Sequence, residues 1–185
     1  WVPVTGSTTA DAHYPRSELR ETRRDGSLGN WLHASADNYL SAVLRIDQVP
    51  SLNKVVIGQI HSTDVPGSQN DPLVKLQYHY RRGVGRLELL LRAQPGDTAV
   101  QNILLAENVQ LGERFGYGLR ITPSGRLGVS VSSRERDTGS FYRQLSSSWR
   151  DQYLYFKAGA YIQDNYGPDT EGGRVTFYHL NSTHR

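Results

Sequence analysis

The sequence of 185 residues contains no cysteine and no methionine. The absence of cysteine excludes a disulfide framework, a thiol nucleophile and a cysteine-based zinc site, although it does not indicate a compartment. No apolar run approaches the roughly 20 residues that a membrane-spanning helix needs, so we predict no membrane insertion. Because the sequence begins at Trp1 and lacks methionine, we expect a mature or trimmed chain whose secretion signal has already been removed.

The sequence also lacks a large excess of either charge, since 21 Lys and Arg residues against 18 Asp and Glu residues give a net charge of +3. A mildly basic protein suits a polyanionic partner, but this surplus is too small to distinguish nucleic acid from an acidic sugar. The only adjacent basic pairs, Arg23-Arg24 and Arg81-Arg82, are typical of solvated loops. Composition alone therefore leaves the class of partner open.

Apolar residues alternate with a period of two in many short segments, and no long stretch follows the period of a helix. The segments predicted as strands are residues 16–22, 39–47, 54–62, 73–80, 86–93, 115–122, 126–132, 153–163 and 174–180. Turn residues separate them, and a short helical turn is expected within residues 146–152. Many short strands at fairly even spacing predict an all-β sandwich of two antiparallel sheets. Without a repeat or a linker, residues 1–185 are predicted to form a single domain.

Polar side chains recur at alternate positions in three predicted strands, and alternate residues leave the same face of a strand. The rows are Arg16, Glu18 and Arg20; Gln59 and His61; and Tyr155, Lys157, Tyr161 and Gln163, with Gly159 leaving a gap. The opposite face of the third strand, which carries Phe156, Ala158, Ala160 and Ile162, is expected to pack in the core. Neighbours within a row lie roughly 7 Å apart, so three rows on one sheet would line a groove that holds a sugar chain. Such a groove would bind carboxylates and move protons.

Each row also has an ordinary structural explanation. A strand reading Arg-Ser-Glu-Leu-Arg is, by itself, more often the solvent-facing side of a sheet with cross-strand ion pairs. A lone histidine in a strand is more often structural than catalytic, and Tyr together with Lys is common at amphipathic edges. The coincidence of the three rows favours a functional site, because independent solvent-facing strands need not supply complementary chemistry.

The three segments resemble the signature segments of the alginate lyases of polysaccharide lyase family 7. They are residues 16–20 (Arg-Ser-Glu-Leu-Arg), 59–61 (Gln-Ile-His) and 155–163 (Tyr-Phe-Lys-Ala-Gly-Ala-Tyr-Ile-Gln), in the order and approximate separation of the family. The flanking Pro-Val-Thr-Gly at residues 3–6 and His-Tyr-Pro at residues 13–15 agree with bacterial members, and the likeness is greatest to Pseudomonas-type enzymes.

Two departures from the family pattern stand out. Members usually carry a further N-terminal stretch before the Pro-Val-Thr-Gly segment, so we expect one edge strand to be missing or to come from residues outside this sequence. Ile162 replaces a frequent Asn, but alternation predicts that it points away from the groove, with little effect on chemistry.

The resemblance implies a β-jelly-roll sandwich whose concave sheet binds alginate or a related polyuronate and cleaves it by β-elimination. Arg16 and Gln59 would neutralise the carboxylate beside C5, His61 would accept the C5 hydrogen, and Tyr161 would protonate the departing O4. For mannuronate, Tyr161 alone would serve as base and then acid. The residues expected to hold neighbouring sugars or orient the catalytic groups are Glu18, Arg20, Tyr155, Lys157 and Gln163.

Further expectations follow from the same resemblance. We predict a secreted or periplasmic monomer that needs no metal or other cofactor, binds no nucleic acid and acts within the polymer chain. The Ile between Gln59 and His61 accompanies acceptance of guluronate in the family, which favours guluronate-containing or mixed blocks. Asp164, Asn165, Asp169 and Glu171 carry oxygen ligands but lack the regular spacing of a calcium loop, which predicts a solvated acidic loop.

Three alternatives stay open. A non-catalytic carbohydrate-binding sandwich would not require Gln, His and Tyr around one carboxylate. A glycoside hydrolase needs two opposed carboxyl groups close together, whereas Glu18 is the only clear inward carboxylate of the three rows. A lyase that acts on another polyuronate, such as glucuronan, would use the same residues.

Overall fold

A computed structural model of the chain describes residues 1–8, 12–63, 65–133 and 139–185. These residues form twelve strands and two single turns of 3-10 helix, at His33–Ser35 and Ser147–Trp149. The strands are β1 (Val2–Pro3), β2 (Arg16–Arg20), β3 (Asn38–Gln48), β4 (Lys54–Ser62), β5 (Pro72–Arg81), β6 (Val84–Leu91), β7 (Gln101–Val109), β8 (Arg114–Ile121), β9 (Arg126–Ser133), β10 (Gly139–Gln144), β11 (Leu154–Tyr161) and β12 (Gly172–His184). No helix in these ranges is long and apolar enough to cross a membrane.

The strands divide equally between two antiparallel sheets. The outer sheet has the order β1-β12-β3-β8-β9-β10, and the inner sheet has the order β2-β11-β4-β5-β6-β7. The predicted all-β jelly-roll sandwich is therefore confirmed. At the N-terminal edge of the outer sheet, Val2 pairs with Gly173 of β12. The expectation that a further edge strand is missing stays a prediction.

The core lies between the sheets and is built by alternation along each strand. In β3, Leu40, Ala42, Leu44 and Ile46 are buried, while the residues that alternate with them are half-buried. Two tyrosines within the core keep their hydroxyls satisfied, as buried polar groups require. Tyr78 donates to the carbonyl of Val109 at 2.9 Å, and Tyr117 donates to the carbonyl of Ile57 at 3.0 Å.

All the strands predicted from the sequence are present, with ends that differ by a few residues, and the turn expected at 146–152 is the 3-10 turn at Ser147–Trp149. The strands β1, β7 and β10 were not predicted. Each of them lies at the edge of its sheet. An edge strand covers less of the core, so its apolar alternation is weak; along β10 every residue is exposed or half-buried.

The third motif strand ends earlier than predicted. It was expected to run to residue 163, but β11 ends at Tyr161. Gln163 adopts a φ of 53°, a left-handed conformation that cannot continue a strand. The core assignment on this strand holds, since Phe156, Ala160 and Ile162 pack in the core. Ala158 is buried as well.

Candidate active site

The three polar rows lie on three adjacent strands, β2, β11 and β4, and face away from the core. We call this surface the groove face; it comprises Arg16, Glu18, Arg20, Gln59, His61, Tyr155, Lys157 and Tyr161. The register aligns Lys157 with both Arg20 and Gln59, Tyr155 with His61, and Tyr161 with Arg16. Segments that are distant in the sequence thereby meet on one surface, as the sequence predicted.

Gly159 allows β2 to approach β11 closely. A Cβ atom at this position would lie 2.2 Å from the carbonyl oxygen of Ser17 and 2.6 Å from Cα of Glu18. Any side chain would therefore push β2 away from β11 and would separate the first row from the third. The gap that the sequence pattern shows at Gly159 is a requirement of strand packing.

Glu18 is the buried anion of the groove face. Its side chain is only 2% exposed and lies 2.5 Å from Nζ of Lys157 and 3.7 Å from Nη1 of Arg16. It also accepts a hydrogen bond from the amide nitrogen of Gln59. This bond fixes the amide of Gln59, which is 1% exposed, and uses one of its two N–H groups. Glu18 is covered by the protein, and its contacts orient these three side chains.

Tyr161 lies against Arg16, whose guanidinium is 4.3 Å from the centre of the tyrosine ring. The ring is 8% exposed and tilts against Tyr14, with the centroids 6.3 Å apart. Burial raises the pKa of the Tyr161 hydroxyl above its usual range, although Arg16 and a hydrogen bond with Gln163 oppose the shift. Tyr161 therefore remains protonated at neutral pH and is ready to donate a proton.

His61 is held between a ring and a carbonyl group. It stacks on Tyr155 with the ring centroids 5.4 Å apart, and its Nδ1 lies 2.6 Å from the carbonyl oxygen of Ser62. Nδ1 must carry the proton in this contact, so Nε2 of the neutral ring has a free lone pair. Burial, with smaller effects from Lys157 and Lys75, lowers the pKa of His61 to about 4. The ring is thus neutral and able to accept a proton near neutral pH.

Arg20 completes a layered arrangement beside His61. Its guanidinium lies 3.8 Å from the centre of the Tyr155 ring, whose other neighbour is His61. Arg20 donates to Oδ1 of Asn30 at 2.7 Å and to the carbonyl of Glu21 at 3.2 Å. A guanidinium held in this way can still present positive charge to a carboxylate at the end of the groove face.

Lys75 of β5, the strand next to β4, lies beside the groove face and was not predicted as a site residue from the sequence. Its backbone aligns with Gln59, and its ammonium lies 5.7 Å from the centre of the Tyr161 ring. It also contributes to the lowered pKa of His61, so both proton-transfer candidates are within its electrostatic reach. Burial in turn lowers the pKa of Lys75. The sequence pattern that could have identified this residue is the alternation of Lys75, Gln77 and His79 with the apolar residues of the same strand.

A second inward carboxylate, Glu88, lies on β6 and was also missed. It accepts a hydrogen bond from Gln77 at 3.0 Å, and its two oxygens lie 3.3 Å from Nδ1 of His79. Four strand spacings separate β2 from β6, or roughly 19 Å at about 4.8 Å per strand. Glu18 and Glu88 are therefore too far apart for the paired carboxyl groups of a hydrolase, which stand about 5–10 Å apart.

The acidic loop considered for calcium serves the turn between β3 and β4. Asp164 is fully buried and accepts hydrogen bonds from the Ser51 hydroxyl and the Leu52 amide, both at 3.0 Å. Glu171 accepts from the Ser51 amide at 2.7 Å. Within the described residues, no group of three or more His, Asp or Glu side chains is arranged to hold a metal ion.

Comparison with known proteins agrees with this geometry. The family model described as alginate lyase matches residues 1–184. An alginate lyase of Klebsiella pneumoniae is 30% identical, over 98% of this chain and 73% of the relative. The crystal structure of an alginate lyase from Pseudomonas aeruginosa superposes with a TM-score of 0.94 at 46% identity, over 100% of this chain and 81% of that one.

A third relative, alginate lyase A1-II′, is a member of polysaccharide lyase family 7. Its structure matches with a TM-score of 0.79 at 26% identity, over 98% of this chain and 77% of that one. A variant of A1-II′ has been solved in complex with the product GGG. The present chain belongs to the alginate lyases of polysaccharide lyase family 7.

Proposed function

We propose that this alginate lyase depolymerises alginate by β-elimination at the groove face, with Arg16, Gln59, His61 and Tyr161 as the catalytic residues. The observation that carries the proposal is the pair of protonation states. A neutral His61 and a protonated Tyr161 lie on neighbouring strands, beside a fixed guanidinium and a fixed amide. A base, an acid and two donors for a carboxylate are the groups that elimination from a uronate requires.

Arg16 and Gln59 act first in this scheme. The C5 hydrogen of a uronate is barely acidic until the charge of the adjacent carboxylate is neutralised. The guanidinium and the second N–H of Gln59 bind this carboxylate and stabilise the enolate-like charge that develops on it. Glu18 supports both donors, since it lies 3.7 Å from Arg16 and accepts a hydrogen bond from Gln59.

His61 and Tyr161 then move the protons at a guluronate. Nε2 of His61 takes the C5 hydrogen as a proton, and the electron pair of that bond forms the C4=C5 double bond. The C4–O4 bond breaks, its electrons pass to O4, and the Tyr161 hydroxyl protonates that oxygen. The raised pKa of Tyr161 suits an acid of this kind.

Mannuronate makes a different demand, because its C5 hydrogen and O4 lie on the same face of the sugar. Tyr161 would have to ionise before it could act as base and then acid. Its raised pKa opposes that ionisation, although Arg16 and Lys75 beside the ring favour it. We therefore expect faster cleavage of guluronate-containing or mixed blocks. Ile60, between Gln59 and His61, is fully buried, so it influences substrate choice only through the packing of β4.

The broader assignments also belong to this proposal. Polar residues cross the inner sheet from β2 to β6, which supports binding within a long chain and endo cleavage. A polymer too large to cross a membrane is met outside the cytoplasm, which supports a secreted or periplasmic location, and the monomeric state stays a prediction. Any 4-linked uronate offers the same carboxylate, so the rate on glucuronan must be compared with the rate on alginate.

Incubation of the purified protein with alginate tests the reaction class. A lyase produces unsaturated ends that absorb in the ultraviolet, and we expect this absorbance to rise from the start of the incubation. Saturated reducing ends would instead identify a hydrolase, and the absence of either product would identify a binding module. Purified mannuronate, guluronate and alternating polymers in parallel assays measure the block preference.

Metal removal is expected to leave the rate nearly unchanged, because Arg16 and Gln59 take the charge-neutralising role that a cation would otherwise fill. The measurement is the rate of ultraviolet absorbance increase after exhaustive chelation and dialysis. The chelator is removed before the polymer is added, so that any effect of the chelator on the polymer is avoided. A large loss of activity that calcium restores would contradict the proposed roles of both residues.

The substitution His61→Asn is expected to slow guluronate cleavage on the order of a hundredfold or more, the usual contribution of a general base. Mannuronate cleavage should fall much less, because His61 is not the base there. Asn can keep a polar group beside the Ser62 carbonyl, so the fold should persist. Equal losses on both blocks would instead identify His61 as an orienting group.

The pH dependence gives a second measurement of the same role. His61 accepts a proton only when neutral, and its pKa is lowered to about 4. Guluronate kcat/KM should therefore stay level down to that pH and fall below it, rather than near the ordinary histidine value of about 6.5. Mannuronate polymer assayed over the same range controls for protonation of the substrate. A fall in kcat/KM for guluronate polymer centred near pH 6.5 would contradict the buried, neutral state of His61.

A further inference from the structure

The outer sheet carries a depression of about 510 Å³ on the side of the molecule opposite the groove face. It spans β3, β8, β9, β10 and β12, and two exposed tyrosines, Tyr39 and Tyr142, border it. Its lining includes Gly118, Gly128 and Ser130, and Arg120 lies on the strand between Tyr39 and Gly128. Nothing in the proposed reaction uses this surface.

Both tyrosine rings lie over glycines of the neighbouring strands. A Cβ atom at Gly118 would be 2.9 Å from the Tyr39 hydroxyl and 3.0 Å from Cε2 of the same ring. A Cβ atom at Gly128 would be 3.1 Å from Cε1 of Tyr142, which pairs with Gly128 across the two strands. Each ring thus packs on the sheet and remains partly exposed, with Tyr39 37% and Tyr142 60% exposed.

Positive charge surrounds the two rings. Arg120 forms a two-point ion pair with Asp37, which lowers the pKa of that carboxyl and cancels its charge. The Arg126 guanidinium lies 5.1 Å from the centre of the Tyr142 ring and has no ion-pair partner among the described residues. Arg185 lines the same depression. The net charge of the side chains around the two rings is therefore positive.

We propose that this depression, bounded by Tyr39 and Tyr142, is a second, non-catalytic binding site for a segment of the uronate polymer. The C–H face of a pyranose carries slight positive charge and packs on the negative face of an aromatic ring. Two such rings at the border of the depression can each pack on a sugar of one segment, and Arg126 and Arg185 can bind its carboxylates. This inference rests on the proposed function in one respect only, the identity of the polymer that binds.

The position of the site determines what it can do. It lies on the outer sheet, about 10 Å of packed core away from the inner sheet, so a sugar bound there cannot reach Tyr161 of the same molecule. Binding there would hold the enzyme on long or gelled polymer while the groove face works on another segment. Cleavage of short oligosaccharides should not depend on it.

Tyr178 provides a matched control on the same sheet. It is 44% exposed, between the values of Tyr39 and Tyr142. Its ring, however, is covered by the Arg114 guanidinium at 3.6 Å from the ring centre. An exposed tyrosine whose face is occupied should contribute nothing to sugar binding.

The test is an NMR titration of the ¹⁵N-labelled full chain with a short alginate oligosaccharide, in a Tyr161→Phe background that limits cleavage. We expect two groups of amides to shift, one around Gln59 and Lys157 and the other around Gly118, Gly128 and Ser130. Tyr39→Ala with Tyr142→Ala should weaken the second group on the order of tenfold and leave the first unchanged. Tyr178→Ala should leave both groups unchanged.

The outcomes separate this site from the proposed function. Shifts confined to the groove face, or outer-sheet shifts that persist in the double variant, would overturn the second site. The amide spectrum of each variant shows whether it is folded, so loss of binding is not confused with loss of structure. Failure of the unsubstituted chain to produce unsaturated ends would overturn the proposed reaction, whichever amides shift.

Discussion

The substitution Tyr161→Phe is expected to abolish cleavage of every alginate block, with a loss of at least about a thousandfold in kcat. The hydroxyl is proposed as the proton donor to O4 for all substrates, and no other residue is proposed to donate that proton. The phenyl ring keeps the contact with Arg16, whose guanidinium lies 4.3 Å from the ring centre. Binding and folding should therefore be largely retained, and the ultraviolet assay on each purified block measures the loss.

Tyr155→Phe is the matched control, because Tyr155 lies on the same strand and the same face. Its ring stacks between Arg20 and His61, and a phenyl ring keeps both stacking contacts while it loses the hydrogen bond of the hydroxyl with Arg20. This variant should keep most of its turnover. Substantial activity of folded Tyr161→Phe on any block would contradict the proton-transfer scheme. An equal loss in the two variants would show that the tyrosine hydroxyls of this strand contribute to substrate binding rather than to proton transfer to O4.

Sequence alone predicted the fold class and the surface that carries the site. Period-two alternation gives each strand a face, so Arg16, Gln59 and Tyr161 were each expected to leave the sheet on a polar side. Alternation does not determine which strands are neighbours. The position of β11 between β2 and β4 comes from the structure, whose register places Lys157 opposite both Arg20 and Gln59.

The electrostatic state of the site could not be predicted from the sequence. A histidine in a strand has an ordinary pKa of about 6.5 until its burial is known. Burial, reinforced by Lys157 and Lys75, lowers the pKa of His61 to about 4, which moves the expected acid limb of guluronate cleavage. Lys75 itself was missed because its strand belongs to no signature segment. Only the pairing of β5 with β4 places it opposite Gln59.

Glu18 illustrates how packing determines the role of a residue. The sequence placed it in the groove among groups that hold sugars or orient the catalytic side chains. Its side chain is only 2% exposed and contacts Arg16, Lys157 and Gln59, which favours the second purpose. Its contacts with Lys157 and Gln59 connect the second and third motifs to the first. Removal of this carboxylate would leave a nearly buried lysine uncompensated, which is costly in a low-dielectric setting.

The substitution Arg16→Lys is expected to reduce turnover on the order of a hundredfold or more, although it conserves the charge. Loss of one donor that stabilises a developing anion typically costs about 3–4 kcal/mol of transition-state stabilisation. A guanidinium presents two parallel N–H groups to a carboxylate, whereas an ammonium acts as a point charge. Lysine at this position would also lie close to Glu18, which already holds Lys157 at 2.5 Å. Steady-state kinetics on guluronate polymer measure the loss in kcat.

Arg20→Lys separates a specific role of Arg16 from a general need for arginine on this strand. Arg20 occupies the same strand and face, but it stacks on Tyr155 and bonds to Asn30 at 2.7 Å, at the other end of the row. Its substitution should raise KM more than it lowers kcat, because it is proposed to bind a neighbouring sugar. Thermal unfolding of both variants checks that each is folded. Near-normal kcat in Arg16→Lys would place Arg16 outside the charge-stabilising site, and Gln59 would then be the remaining candidate for that role.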